Sequence, residues 1–211
     1  MPMTDTSVLI VPGLNGSGPD HWQTIWEWTR EDCVRVEQES WHDPHPAAWM
    51  VQLDSAIAAA PGEVVVVAHS LGCAAVAHWA ANAEHAGVRV VAALLVAPCD
   101  VERPEAPAAI ARFAPLPPTA LPFRSLVVAS SNDPYATLSR TRCFADRWGG
   151  AFVDVGPLGH INAASQLGDW PFGQILLDEL LERGGGERYR RAATLRDGGT
   201  LPLASRCRPL G

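Results

Sequence analysis

The chain has 211 residues, of which 47% are apolar, and its formal net charge is −7. This length predicts one domain or at most two, with enough apolar residues for a single large core. The acidic balance excludes nucleic acid and anionic membranes as expected partners, and no apolar run is long enough to predict a transmembrane helix.

The N-terminal residues and the cysteines indicate the cellular compartment of the protein. The N-terminal residues lack the basic segment and apolar segment of a secretory signal. The five cysteines are widely spaced and form no C-x-x-C pair, so we expect free or buried thiols rather than a disulfide framework or a zinc site. These features predict a cytoplasmic protein without a cofactor or metal.

Strand-like and helix-like segments alternate along the chain. The first strand is followed by a glycine-rich loop and by a helix that Asp20 is expected to cap. Pro134 is expected in the first turn of a later helix. A proline-rich segment, 99–123, is predicted to be irregular and to cover one edge of the site. We predict strands at 7–11, 33–38, 64–67, 88–96, 126–129 and 151–155, and helices at 20–31, 47–60, 71–81, 134–148 and 171–183.

Six such alternations predict an α/β fold. We expect a three-layer α/β/α sandwich with about six parallel strands, helices on both faces and right-handed crossovers. This domain is predicted to span residues 1–183. Residues 184–211 are rich in arginine and glycine without an apolar period, and they are predicted to form a disordered tail.

The most informative stretch is a run of four valines that leads into Ala68-His69-Ser70-Leu71-Gly72. An unbroken apolar run predicts a strand buried on both faces. An alanine-rich helix follows Ser70, so the serine is predicted to lie at a sharp strand-to-helix turn, a nucleophile elbow. Such turns usually have glycine two residues before and after the serine. Ala68 is therefore a small departure from this pattern, whereas Gly72 matches it.

A serine nucleophile needs a histidine base, and in this architecture the acid and then the histidine follow the serine in the chain. His160 directly follows the sixth predicted strand, so it is the expected base. His69 adjoins Ser70, but its side chain is expected to point away from the site. For the acid, Asp100, Asp133 and Asp154 all follow Ser70. Asp133 follows the fifth strand. We favour it as the acid over the alternative that it only caps the next helix.

The glycine-rich loop after the first strand is expected to supply an N–H group for an oxyanion. Leu14 or Asn15 would donate one hydrogen bond, and Leu71 would donate the other. A dinucleotide site is the rival interpretation of a strand followed by such a loop. The spacing Gly13-x-x-Gly16-x-Gly18 does not match the dinucleotide pattern, and the chain contains no lysine for a reductase Tyr/Lys pair.

Other side chains near the same edge are candidates for binding substrate. Asn15 lies in the glycine-rich loop, and three tryptophans are expected to line an apolar pocket or, alternatively, to belong to the core. These are Trp22, Trp41 and Trp170. His42, Asp43 and His45 are interrupted by prolines, so a solvated loop is expected there rather than a metal site.

Six segments of the chain resemble one known family. They are Val8–Gly18, His21-Trp22, Ala68–Gly72, Ser130–Pro134, Gly159–Asn162 and Gly168–Pro171. In this order they are similar to the YdeN and retinoblastoma-binding-protein-nine-like family of small serine hydrolases. The resemblance covers residues 7–183. It implies a lidless α/β-hydrolase with a triad of Ser70, Asp133 and His160 that acts on small esters or amides.

Two functions from different classes follow. The first is a serine hydrolase that cleaves a small ester or amide through an acyl-enzyme on Ser70. The alternative is a non-catalytic binding protein that retains the fold. The expected partner is a small molecule, and the oligomeric state and the natural substrate are not predicted.

Overall fold

The computed structural model describes residues 6–84 and 86–182, and the predicted tail at 184–211 lies outside them. The core of the fold is a sheet of six strands in the order β2-β1-β3-β4-β5-β6, in which every neighbouring pair is parallel. The strands are β1 (Thr6–Val11), β2 (Cys33–Arg35), β3 (Glu63–His69), β4 (Val90–Val96), β5 (Arg124–Ala129) and β6 (Ala151–Asp154).

The described residues form seven helices, of which the last follows the final strand. They are α1 (Trp22–Thr29), α2 (Pro46–Ala59), α3 (Leu71–Asn82), α4 (Ala86–Arg89), α5 (Ala108–Ala111), α6 (Leu138–Trp148) and α7 (Pro171–Leu181), and a 3₁₀ turn spans Ala163–Ser165. The predicted alternation of strands and helices is confirmed, as is the six-stranded parallel sheet.

The two faces of the sheet bury separate hydrophobic clusters, which makes the three layers. Alternate residues of β3 face opposite sides because side chains alternate along a strand. Val64, Val66 and Ala68 pack with helices α2, α3 and α6. Val65 and Val67 pack with α1 and α7. Strand β3 is therefore buried on both faces, as its run of valines predicted.

Three local predictions were wrong. Helix α1 is capped by His21, whose Nδ1 accepts a hydrogen bond from the Gln23 N–H, and not by Asp20. Residues 86–89, partly assigned to the fourth strand, form the short helix α4. Helix α6 begins after Thr137, whose hydroxyl accepts from the Arg140 N–H, so Pro134 lies in the preceding loop.

The cysteine prediction holds in part. Cys33, Cys73 and Cys99 are free and buried. Cys143 is disulfide-bonded, so the expectation of an unpaired thiol is wrong at that position. In the described ranges, none of the helices is both long enough and apolar enough to cross a membrane.

Candidate active site

Ser70 lies between β3 and α3 in an unusual backbone conformation, with φ 54° and ψ −120°. A positive φ is strained for a residue with a side chain, and such strain is typical of functional turns. The close packing of the turn explains its small neighbours. A Cβ on Gly72 would lie 2.3 Å from the Val11 carbonyl oxygen, whereas the methyl group of Ala68 is accommodated in the core.

His160 connects Ser70 to Asp133. Its Nε2 lies 2.8 Å from Ser70 Oγ, and its Nδ1 lies 2.8 Å and 3.0 Å from the two carboxylate oxygens of Asp133. A carboxylate accepts hydrogen bonds, so Nδ1 carries the proton and Nε2 is left to accept from the serine hydroxyl. The side chains of His160 and Asp133 are 8% and 3% exposed, which shields their contact from water.

Asp100, the rival acid, lies elsewhere. It forms an ion pair with Arg140 Nε at 3.1 Å, and one of its oxygens accepts from the Glu102 N–H. Asp154 accepts from the Gly156 N–H at the end of β6. Of the three carboxylates that the sequence left open, the structure therefore brings Asp133 to His160.

Two loops at the carboxyl edge of the sheet hold the Asp133–His160 pair together. The Asn132 side-chain oxygen accepts from the Gly159 N–H at 2.7 Å, and Ser130 Oγ accepts from the Leu158 N–H at 2.9 Å. These bonds join the loop after β5 to the loop after β6, next to both residues of the pair. The motif Ser130–Pro134 thus contains the bracing groups as well as the acid.

His69 does not point away from the site as predicted. Its ring lies 4.8 Å from the ring of His160, and its Nε2–H donates to the His160 carbonyl oxygen at 2.8 Å. His69 belongs to the face of β3 that packs against α1, which is also the face on which the loop of His160 lies. Burial lowers the pKa of His69, so the ring is neutral and fits this enclosed position.

His21 also packs against His69, with ring centroids 4.8 Å apart. Its pKa is lowered to about 3, first by burial and then by the charges of Arg35 and His160. Sequence reasoning missed both histidines as parts of the site. The His21-Trp22 motif was the available signal, because it was among the segments that resemble the family.

Of the two positions expected for the tryptophans, the structure places Trp22 and Trp170 in the core and not in the pocket wall, so the substrate-binding assignment is wrong for these two. Both are buried, at 1% and 3% exposure, in the cluster beneath the sheet edge, and neither lines the cavity beside Ser70. Trp22 instead donates from its indole N–H to the Ile161 carbonyl oxygen at 2.8 Å. It therefore anchors the residue after His160. The aromatic residues share a core face because α1 and α7 pack there together.

Trp41 lies behind the glycine-rich loop rather than in the cavity wall. A Cβ on Gly16 would lie 3.4 Å from its indole, and the Trp41 carbonyl oxygen accepts from the Asn15 N–H at 2.8 Å. That bond occupies the Asn15 N–H, one of the two donors that the sequence left open. The Leu14 N–H makes no hydrogen bond to the described part of the chain.

Gly13 brings the glycine-rich loop against the elbow. A Cβ on Gly13 would lie 2.8 Å from Ser70 Cβ and 3.2 Å from the Leu71 nitrogen. A side chain there would displace the loop, so glycine allows the close approach. Leu71 is the first residue of α3, where backbone N–H groups lack helical partners and the helix dipole is positive.

A cavity of about 380 Å³ opens above Ser70. Cys99 is the other nucleophilic side chain in its wall, but burial raises the pKa of that thiol to about 12 and keeps it neutral. The lining residues come from the glycine-rich loop, the proline-rich segment and the loops after β5 and β6: Gly13, Leu14, Asn15, Gly16, Gly18, His21, His69, Ser70, Cys99, Arg103, Pro107, Ile110, Tyr135, His160, Asn162, Ala163 and Ala164.

The parallel sheet, the elbow and the cavity at its carboxyl edge define an α/β-hydrolase. Residues 8–179 match the model of the family described as serine hydrolase, and the chain belongs to that family. It is thereby identified as a hydrolase, and the expected resemblance is confirmed. A search of curated proteins finds no significant match.

Several solved structures are similar. A chain described as a YdeN-like hydrolase from Pectobacterium atrosepticum is 29% identical, with 83% of this chain and 90% of that chain covered and a TM-score of 0.72. The ydeN gene product of B. subtilis is 18% identical, with 84% and 100% covered and a TM-score of 0.71. Est1E from Butyrivibrio proteoclasticus, with ferulic acid bound, is 11% identical, with 82% and 88% covered and a TM-score of 0.60. The ydeN gene product and Est1E share the fold of this chain.

Proposed function

We propose that this protein is a serine hydrolase that cleaves small ester or amide substrates through an acyl-enzyme on Ser70. The observation that carries the proposal is the continuous chain of hydrogen bonds from Ser70 Oγ through His160 to Asp133. A serine hydroxyl is a weak nucleophile, and a neutral imidazole held at 2.8 Å is the base that activates it. The cavity of about 380 Å³ supports a small-molecule substrate.

In the first half of the reaction, Ser70 Oγ attacks the carbonyl carbon of the substrate while His160 Nε2 accepts the hydroxyl proton. The imidazolium then gives this proton to the leaving alcohol or amine, and the acyl group remains on Ser70. In the second half, His160 takes a proton from water, and the hydroxide attacks the acyl carbon of the ester on Ser70. The bond from this carbon to Ser70 Oγ then breaks, the carboxylic acid leaves, and His160 returns the proton to Ser70. Asp133 holds the Nδ1–H tautomer and stabilises the imidazolium in both halves.

The negative charge that develops on the carbonyl oxygen requires hydrogen-bond donors. We assign these to the N–H groups of Leu14 and Leu71. The Leu14 N–H has no partner in the described ranges, and the Leu71 N–H points from the positive end of α3. The close approach of Gly13 to Ser70 and Leu71 supports the assignment, since it brings both donors to the same serine.

Labelling with a fluorophosphonate probe tests the proposal, since such probes react with activated serines. Wild type should be labelled at Ser70 and should hydrolyse a 4-nitrophenyl ester. Ser70→Ala should lose labelling and at least about 10⁴-fold in rate, with little change in thermal midpoint.

Ser139→Ala removes an exposed serine on α6 and serves as the matched control. It should keep both labelling and rate. Retention of a tenth of the wild-type rate in Ser70→Ala would refute the nucleophile. If wild type neither reacts with the probe nor hydrolyses esters, the protein is a binding protein with a hydrolase fold.

A further inference from the structure

The cavity beside Ser70 has one wall residue with a permanent charge, Arg103, and none of its lining residues is acidic. The lining histidines His21 and His69 add no charge at neutral pH because burial lowers the pKa of each. The permanent charge on the cavity wall is therefore positive, although the whole chain carries a net charge of −7. A local field of this sign favours an anionic group in the site.

Arg103 is not neutralised by a nearby acid. Of the acids near it in sequence, Asp100 and Glu102 pair with Arg140, and Glu105 forms no ion pair with the described residues. Asp133, in the loop after β5, pairs with His160. Among the described residues, no carboxylate lies within ion-pair distance of the Arg103 guanidinium. Its Nη1 donates to the Pro134 carbonyl oxygen at 3.0 Å, while Nη2 has no hydrogen-bond partner there.

The guanidinium is also fixed in place. Its central carbon lies 5.1 Å from the centroid of the Tyr135 ring, which is a cation–π contact. The Tyr135 ring also contacts His160, with ring centroids 4.5 Å apart. Arg103 and the imidazole that contacts Ser70 therefore share an aromatic neighbour. Arg103 and Ser70 line the same cavity, so one small substrate can contact both.

We propose that Arg103 binds a carboxylate of the substrate, and that the preferred substrates are esters or amides that carry a carboxylate a few atoms from the scissile carbonyl. Half-esters of dicarboxylic acids are the simplest members of this class. A guanidinium with a free Nη2 matches a carboxylate in both charge and hydrogen-bond geometry. This inference rests on the proposed hydrolase function and names the substrate class of the same site.

Paired substrates test the inference. The first pair is 4-nitrophenyl hemiglutarate and the neutral 4-nitrophenyl pentanoate, which place the carboxylate or a methyl end on the acyl side. The second pair is 4-acetoxybenzoate and its methyl ester, which place the charge on the leaving group. Wild type should prefer the charged member of one pair, and Arg103→Gln should lower that kcat/KM ratio by about 10- to 100-fold.

Arg103→Lys keeps the charge and should retain part of the preference. Arg142→Gln removes an exposed arginine that contacts Phe152, and it should leave both ratios unchanged. Equal loss for the charged and neutral substrates in Arg103→Gln would show that Arg103 only supports Tyr135, and the inference would be wrong. Absence of a charge preference in wild type for both pairs would also overturn it.

A binding measurement separates this inference from the proposed function. The ligands are glutarate and 4-hydroxybenzoate, the carboxylate products of the two charged substrates. At least one of them should bind wild type in calorimetry and bind Arg103→Gln at least about tenfold more weakly. If no ester is hydrolysed but this difference is found, the hydrolase proposal fails while the anion site stands. Equal affinity of the two proteins for both products, or no binding of either product, would refute the anion site.

Discussion

Asp133 and Asp100 follow neighbouring strands, but they differ in the partner each one meets. Asp133 accepts from His160 Nδ1 and also from the Tyr135 N–H at 2.8 Å. Asp100 is held by Arg140. The hydrogen-bond partner of each carboxylate therefore decides between two candidate acids that the sequence alone left open.

We predict that Asp133→Asn lowers the rate of ester hydrolysis by about 10⁴-fold. The amide of asparagine would donate to Nδ1, which favours the tautomer with a proton on Nε2. That nitrogen could then no longer accept from Ser70. Rates and thermal midpoints of the purified variants are the measurement.

The matched control is Asp100→Asn, which should lose less than about tenfold in rate because Asp100 pairs with Arg140 and not with His160. A loss of about 10⁴-fold in Asp100→Asn, or a near wild-type rate in Asp133→Asn, would contradict the assignment of the acid.

The elements at the carboxyl edge of the sheet depend on one another. Helix α3 can begin at Leu71, directly after Ser70, only because Gly72 lets its first turn pass close to the end of β1. A Cβ on Gly72 would lie 2.3 Å from the Val11 oxygen and 2.7 Å from the Pro12 oxygen. Backbone oxygens cannot rotate away as flexible side chains can, so the strand, the loop and the helix would have to separate.

We therefore expect Gly72→Ala to be destabilised by about 3 kcal/mol, the upper part of the range for overpacked interiors. The fall in thermal midpoint should be accompanied by a lower rate, because the same shift moves the loop of Leu14 relative to Ser70. Gly18→Ala is the control, since a Cβ there would meet no atom within 4 Å. A Gly72→Ala protein as stable as Gly18→Ala would disprove the packing argument.

Acid sensitivity is a property of the whole molecule that follows from its buried histidines. His21 has its pKa lowered from 6.5 to about 3, first by burial. Between these values the unfolded chain binds a proton that the folded protein does not, so the free energy of unfolding rises with pH and falls on acidification. The lowered pKa of His69 acts in the same direction.

We predict that His21 alone lowers the free energy of unfolding by about 2 kcal/mol between about pH 6.5 and pH 4.5. His21→Asn keeps a side chain that caps helices. It should reduce the slope of the unfolding free energy against pH near pH 5 by the amount that corresponds to about one proton. Urea titrations across this range are the measurement, with His45→Asn as the exposed control. An unchanged slope in His21→Asn would contradict the prediction.

The sequence by itself determined the succession of strands and helices along the chain and the position of the elbow. These features depend on short-range patterns: an apolar run that makes β3 buried on both faces, and small residues around Ser70. The chain order of Ser70, Asp133 and His160 also predicted their shared sheet edge, because parallel strands place their carboxyl ends together.

Tertiary structure alone decided which side chains meet across the chain. His69 contacts the loop of His160, 91 residues away, and Trp22 contacts Ile161, 139 residues away. Contacts between residues so far apart in the chain leave no periodic pattern in the sequence from which they could be predicted. The face of the sheet on which each residue lies decides whether an aromatic ring belongs to the core or to the pocket wall. Arg103 becomes a candidate anion-binding residue only once Asp100 and Glu102 are seen to pair with Arg140.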